Sequence, residues 1–263
     1  MRQRGFPEVC QNAFTAMKEC SKSIPRRLAD SNFVRKYFVG DGIDIGGKPD
    51  PLKLYMEFFP LMRSVRTWDR EDGDAQYMQG VPDDSVDFVH SSHCLEHLVD
   101  PAEGLCCWLR VLRPGGHIIV TIPDEDMYEQ GVFPSTYNHD HKRTFTLHKE
   151  KSWSPCSVNV LGLLSSLGPA AEVLKVERLH GTHRYSLPRL DQTMTPVGES
   201  AIEFIIRKRT PEELVYGGIP ARRHTVDDRE MRLHLNQYRD DQKTLRGANS
   251  TNPPFCNDAV IDG

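Results

Sequence analysis

Two sets of residues have the types and spacing to do chemistry. The first is Asp44, Gly46 and Gly47 in Gly42-Ile43-Asp44-Ile45-Gly46-Gly47, with Asp69 following at 69 − 44 = 25 residues. Glycines at the end of a β-prone run let backbone approach a ligand closely. An acid at the end of the next strand can accept from both hydroxyls of a ribose. Taken singly, each has a plainer reading, as a strand-to-helix turn or a solvated acid among Arg70, Glu71, Asp72 and Asp74. The second set is the histidines His90, His93, His97, His139 and His141, with His180 and His183 later. An imidazole, with its ordinary pKa of about 6.5, suits proton removal near neutral pH. His141 is the candidate base. His139 is the fallback, on the same side if the segment is extended. Hydrogen bonds that merely fix the loop would explain His141 equally well. His93 and His97 flank Glu96 and invite a metal. The pattern is not H-E-x-x-H, however, and no clear third ligand stands out, so no metal is expected.

The elements that must position these residues can be read from pattern. Ile43 and Ile45 mark a strand. Asp50 and Pro51 can open a helix as N-cap and first residue, and Leu52, Tyr55, Met56 and Phe59 give it one apolar face. A second strand runs from Ser64 to Asp69 and a third from Val86 to Ser92. Asp100-Pro101-Ala102-Glu103 carries a capping-box pattern, followed by the stripe Leu105, Trp108, Leu109 and Leu112. Arg113-Pro114-Gly115-Gly116 stops that helix, and His117 to Pro123 is a buried strand. Residues 157–167 read as a helix, with strands at Ala171–Leu179 and Ala201–Arg207 around a polar insertion, His180 to Gly198. Residues 124–156 form a long connection leaving the carboxyl end of the sheet, as expected for a lid over a substrate. Three parts follow. Residues 1–38 are a helical extension in two pieces broken near Pro25, with stripes Val9, Ala13, Met17 and Phe33, Val34, Phe38. Residues 39–210 are the ligand-binding domain. Residues 211–263 are a charged helix, Arg222 to Arg239, and a flexible tail from Gly247.

The chain has 263 residues and a formal net charge of -4, which gives no general basic field for nucleic acid. No apolar run approaches the ~18 residues of a membrane span. The seven cysteines are odd in number and contain no C-x-x-C, which reads as reduced thiols. With no secretory h-region behind Met1, a cytoplasmic location is expected.

In order, the Asp44/Gly46/Gly47 turn, Asp69, Gly73-Asp74-Ala75, Asp84-Ser85-Val86-Asp87, Cys94-Leu95-Glu96-His97 and Leu112-Arg113-Pro114-Gly115-Gly116 resemble a class I S-adenosylmethionine-dependent methyltransferase of the small-molecule, ubiquinone-type subgroup. The resemblance covers roughly residues 40 to 123. It implies an α/β, Rossmann-like, doubly wound sheet of seven strands, mostly parallel with an antiparallel last strand. It implies S-adenosylmethionine as cofactor and S-adenosylhomocysteine as product. In it, Asp44, Gly46 and Gly47 form the loop below the methionine part and Asp69 holds the ribose. The Asp74 carboxylate and the Ala75 N–H meet adenine, Ser91 and Ser92 line the floor, and Leu95 touches adenine. Lys48 stands where many relatives have glycine, either against the cofactor carboxylate or in solvent. His141 to Thr146 matches a His-x-x-x-Phe-Thr element. The implied reaction is in-line methyl transfer to an O or N atom of a small molecule or sugar. The alternatives are a catalytically silent cofactor-binding partner subunit and an NAD-binding oxidoreductase, although the latter's G-x-G-x-x-G is absent.

Overall fold

The computed structural model describes residues 19–218. The expected stripe Val9, Ala13, Met17, the charged helix from Arg222 and the tail from Gly247 lie outside the described residues. The strands are β1 (Gly40–Ile45), β2 (Met62–Trp68), β3 (Val86–Ser92), β4 (Leu112–Pro123), β5 (Thr144–Thr146), β6 (Ser157–Asn159), β7 (Ala171–Leu179) and β8 (Ala201–Lys208). The main sheet runs β2-β1-β3-β4-β8-β7, and β5 pairs with β6 apart from it. The first four strands of that order are parallel, and β8 is antiparallel to both of its neighbours. The chain steps from β1 outward to β2 and then returns to β3 on β1's other side. That reversal of winding opens a crevice at the strands' carboxyl ends.

This is the doubly wound α/β sheet expected, with six strands where the resemblance implied seven. Between Trp68 and Val86 the chain turns instead of pairing. Asp74 Oδ1 accepts from Gln76 N at 2.8 Å, and Met78 N bonds back to Asp74 O at 3.0 Å. Met78 sits at φ 48°, so no edge strand forms beyond β2.

Helix α1 (Glu19–Ala29) passes through Pro25 and does not break there. Ile24 and Arg27, buried on either side of the proline, hold the turn against the loss of one N–H donor. A wide helical turn, Phe33–Tyr37, follows. The helix after Pro51 is a single tight stretch, Leu52–Phe58, and Asp50 does not cap it. Asp50 accepts from Ser21 N at 2.7 Å and Tyr55 Oη at 2.5 Å, tying this helix to α1. Helix α2 (Pro101–Val111) is capped by Asp100, which accepts from Ala102 N and Glu103 N. The box is closed by another residue, since Gln76 accepts from Asp100 N at 3.0 Å and donates to Glu103 at 2.6 Å. Residues 157–167 open as strand β6 before α3 (Val160–Ser165), because Asn159 caps α3. A last short helix, α4 (Pro211–Val215), carries a full capping box.

The two sheet faces have different cores. On one, α2 and α3 pack Leu105, Trp108, Leu109, Val160 and Leu164 on Ile43, Ile45, Val89, Ile118, Val120 and Phe204. On the other, α1 and the turns beside it pack Ile24, Phe33, Phe38, Leu52 and Phe59 on Phe88, Ile119 and Ile205. Period-2 alternation places Asp44, His90, Thr121 and Glu203 on this second face, where Arg27, itself fully buried, meets the last three and reaches Asp44 through His90.

Candidate active site

Register decides which residues meet at the crevice. Ile45 pairs with Trp68 on one side and Ser91 on the other, so the chain leaves β1, β2 and β3 at one edge. Gly46 N donates to Trp68 O at 2.8 Å, closing the first corner. Gly46 has φ +69°, and a Cβ there would lie 2.7 Å from the Cβ of Cys94. Any side chain would push apart the two strand-end turns.

A cavity of about 620 Å³ fills the crevice, lined by Gly46, Trp68, Asp69, Asp74, Ala75 and His93 among others. That volume suits a nucleoside-sized ligand. Of the residues expected at the cofactor, Gly46, Asp69, Asp74 and Ala75 line it. Asp69 is half-buried and accepts from Lys48 N at 3.2 Å and Arg70 N at 2.8 Å, which fixes its carboxylate while lone pairs remain for a diol. Trp108 Nε1, from the core helix α2, donates to Ala75 O at 2.8 Å and holds the opposite corner.

The other expected residues stand behind this wall. The carboxylate of Asp44 is buried, taking Leu52 N at 2.7 Å and His90 Nδ1 at 2.6 Å. It shapes the glycine turn from below. A Cβ on Gly47 would meet that carboxylate at 2.3 Å. Ser91 is fully buried and Ser92 half-buried, and the cavity floor is formed by His93 and Cys94 in their place. The reason is local: His93 takes φ 55°, which swings the chain out of β3 toward the cavity. Leu95 is in the core, and Leu98 is the leucine on the wall. Lys48 lies at the rim, exposed and paired with Glu71.

The connection 124–156 is tied down along its length. Glu125 is fully buried and accepts from Thr144 Oγ1 at 3.0 Å, Lys149 Nζ at 2.7 Å, Ser152 Oγ at 2.7 Å and Ser157 Oγ at 2.6 Å. Burial alone would raise its carboxyl, but these donors hold it below the usual range. Lys142 N and Arg143 N both donate to Glu96 O, at 2.9 and 3.1 Å. The segment at His139 to His141 is a turn, with His141 N donating to Asn138 O at 3.3 Å. The two histidines therefore do not share a side: His139 is exposed and His141 is buried.

His141 joins a cluster that sequence spacing did not reveal. Its Nδ1 meets Glu129 Oε1 at 2.8 Å, and its Nε2 lies 3.8 Å from Glu96 Oε1. His93 Nδ1 stands 3.5 Å and His97 Nε2 4.0 Å from the same oxygen. Glu19, at the start of α1, reaches His93 Nε2 at 3.5 Å. Burial would push Glu96 up, but His93, His141 and His97 outweigh it and hold it below the usual carboxylate range. Burial raises Glu129, and His141 offsets this only in part.

Strand order, the strand-end acids and the glycine corner are those of a doubly wound, Rossmann-like α/β domain with a ligand crevice at its switch point. Residues 61–120 match the family model described as a methyltransferase domain. A 64-residue stretch is 36% identical to an uncharacterized methyltransferase of Schizosaccharomyces pombe, covering 24% of this chain and 22% of that protein. The match thus spans about a fifth of that relative's length. Among solved structures, the chain is similar to a SAM-dependent methyltransferase from Archaeoglobus fulgidus, at 18% identity and TM-score 0.45, over 76% of this chain and 98% of that one. It is also similar to an S-adenosylmethionine-dependent methyltransferase from Mesorhizobium loti, at 14% identity and TM-score 0.42, over 71% and 98%. Likenesses this distant carry neither substrate nor activity across. Among the described residues, no helix is long and apolar enough to cross a membrane.

Proposed function

We propose that this protein transfers a methyl group from S-adenosylmethionine to an O or N atom of a small molecule or sugar. The carrying observation is the crevice where Gly46, Asp69, Asp74 and Ala75 line one cavity at the switch point of the sheet. The residues present fit the cofactor's chemistry. Asp69 offers an acceptor-only carboxylate to a ribose diol, and Gly46 allows close backbone approach. Asp74 keeps Oδ2 for an adenine amino group, Oδ1 being engaged by Gln76 N. When bound, the cofactor supplies a methyl on a sulfonium that departs as a neutral thioether. The chain's share is then to hold donor and acceptor in line, which can supply much of the acceleration.

In this reading the acceptor docks against the connection 124–156, which borders the cavity through Asp140 and Lys142. His141 is anchored through Nδ1 on Glu129, so its Nε2 is the nitrogen available to chemistry, as base or as ligand. His139, exposed on the far side of the turn, has no comparable anchor among the bonds of the described residues.

Asp69→Ala removes a charged acceptor, a contact worth ~1.5–3 kcal/mol, and is expected to weaken S-adenosylhomocysteine binding by more than tenfold in calorimetry. Unchanged affinity would remove Asp69 from the site. Binding of NAD in place of the homocysteine compound would replace the methyltransferase reading with the oxidoreductase one.

A further inference from the structure

We infer that Glu96, His97 and His141 form a binding site for a divalent first-row cation, zinc in particular, at the wall of the cavity. The inference deepens the proposed function, because the ion would sit where the acceptor docks. Its grounds are the geometry alone. One ligand atom from each residue lies within 4.8 Å of the other two. In a tetrahedral site with bonds of about 2.1 Å, neighbouring ligand atoms are about 3.4 Å apart. Glu96 Oε1 already stands 3.8 Å from His141 Nε2 and 4.0 Å from His97 Nε2, within about 0.6 Å of that spacing, and side-chain rotation would draw the three ligand atoms together.

The protonation pattern points the same way. His97 Nδ1 lies 3.1 Å from the carbonyl oxygen of Asp140, which can only accept. His97 therefore carries a proton on Nδ1, and Nε2 is the nitrogen that faces Glu96. His141 presents Nδ1 to the Glu129 carboxylate in the same manner. Both imidazoles thus turn Nε2 toward Glu96, each backed by an acceptor on its other nitrogen, the support that metal-bound histidines have. Glu96 is fully buried, and neither of its carboxylate oxygens makes a hydrogen bond. Its nearest nitrogens, on His93, His141 and His97, stand at 3.5 to 4.0 Å, longer than a good hydrogen bond, and a cation between the three residues would compensate the buried charge more fully.

Two histidines and one carboxylate with a further position open is a donor set that zinc accepts. His97 lines the cavity, so the ion borders it. An acceptor hydroxyl bound there gives its proton to water, and its oxygen attacks the methyl carbon. The carbon–sulfur bond breaks with its electron pair going to sulfur, and the ion keeps its charge throughout. The third ligand missing from the sequence pattern is His141, which arrives from a segment 141 − 97 = 44 residues away.

The test uses full-length protein stripped with a chelator, titrated with Zn2+ against a chromophoric competitor and with Co2+ by visible absorption. The expected result is one ion per chain, with Co2+ bands of a low-coordinate nitrogen–oxygen site. Affinity should drop at least 100-fold in Glu96→Gln and His97→Gln and stay unchanged in His139→Gln. Weak binding that is equal in wild type and both variants overturns the site, as does a Co2+ spectrum showing thiolate from Cys94. Should the variants fail to fold, the stoichiometry and spectrum of the wild type decide alone. S-adenosylhomocysteine calorimetry on the same stripped protein tests the methyltransferase reading separately, so either reading can fail without the other.

Discussion

The two faces of the sheet are held by different physics. Under α2 and α3 the contacts are apolar, with Leu105 and Trp108 fully buried against strand residues such as Ile118 and Val120. Under α1 a chain of charges crosses the sheet. Arg27 donates to His90 Nε2 at 2.9 Å, and His90 Nδ1 meets Asp44 at 2.6 Å. Since arginine can only donate, His90 is a neutral imidazole with its proton on Nδ1. Arg26 bonds Glu199 and Glu203, the latter at 2.8 Å. Burial alone would raise Glu203, but Arg27 and Arg26 hold it below the usual range. Hydrophobic contact is non-directional, so the first face can slide a little at small cost. The second face accepts α1 in one position, and that position brings Glu19 to His93 at the cavity. The apolar face supplies stability and the polar face supplies placement.

The largest effect expected from breaking this contrast is at Glu203. Glu203→Ala strands Arg26 and Arg27 without their shared carboxylate, and loss of one partner of a buried pair costs ~3–5 kcal/mol. Urea unfolding should show it. The replacement Arg27→Met with Glu203→Leu should cost far less, because no uncompensated charge remains. On the apolar face Leu105→Ala should cost ~3 kcal/mol through the cavity it leaves. That loss should be the same at pH 5 and pH 8, since no ionisable group takes part.

A pH-dependent effect, small at neutral pH, belongs to His117, on the α1 face beside Tyr37 at 5.3 Å between rings. Burial, then Lys36 and Arg207, push its pKa down to about 4, with Glu172 opposing. A base with a depressed folded pKa stays neutral when folded and takes up a proton on unfolding. Stability is therefore full above about pH 6.5 and falls as pH drops toward 4, by about 3 kcal/mol at the lower end. His117→Phe should flatten that part of the acid limb in thermal melts at several pH values. An unchanged limb would show that the face titrates through other groups.

Legibility in the sequence followed locality. Strands β7 and β8 and the Asp100 cap depend on neighbouring residues, and each was readable. Asp69 and Ala75 follow directly from strand ends and a short motif. Asp44 was expected in the loop below the ligand and lies under the glycine turn, but its partners, His90 and Leu52 N, are fixed by strand register and a helix start that no spacing shows. The exchange of Ser91 and Ser92 for His93 and Cys94 rests on one left-handed residue, His93, that no glycine announces. The cluster of Glu96, Glu129 and His141 joins separate segments through a buried tertiary contact. Sequence supplied its members but not their meeting. The expected alignment of His139 with His141 failed because Asn138 caps a turn where extended chain was assumed.

One contact bridges the two walls of the cavity at its rim. Arg70, just past β2, and Asp140, in the connection 124–156, both line the cavity and meet at 2.9 Å. Both side chains are largely in solvent, at 85% and 66% exposure. Such a pair is worth at most about 1 kcal/mol and weakens as the screening length shrinks to ~8 Å at physiological ionic strength. The same segment is also held by Lys142 N and Arg143 N on Glu96 O, by His97 on Asp140 O and by Arg143 on Val99 O, so this exposed clasp is the weakest of its ties. A pair this weak opens thermally, so salt is expected to shorten the residence of a bound ligand if the clasp borders its exit.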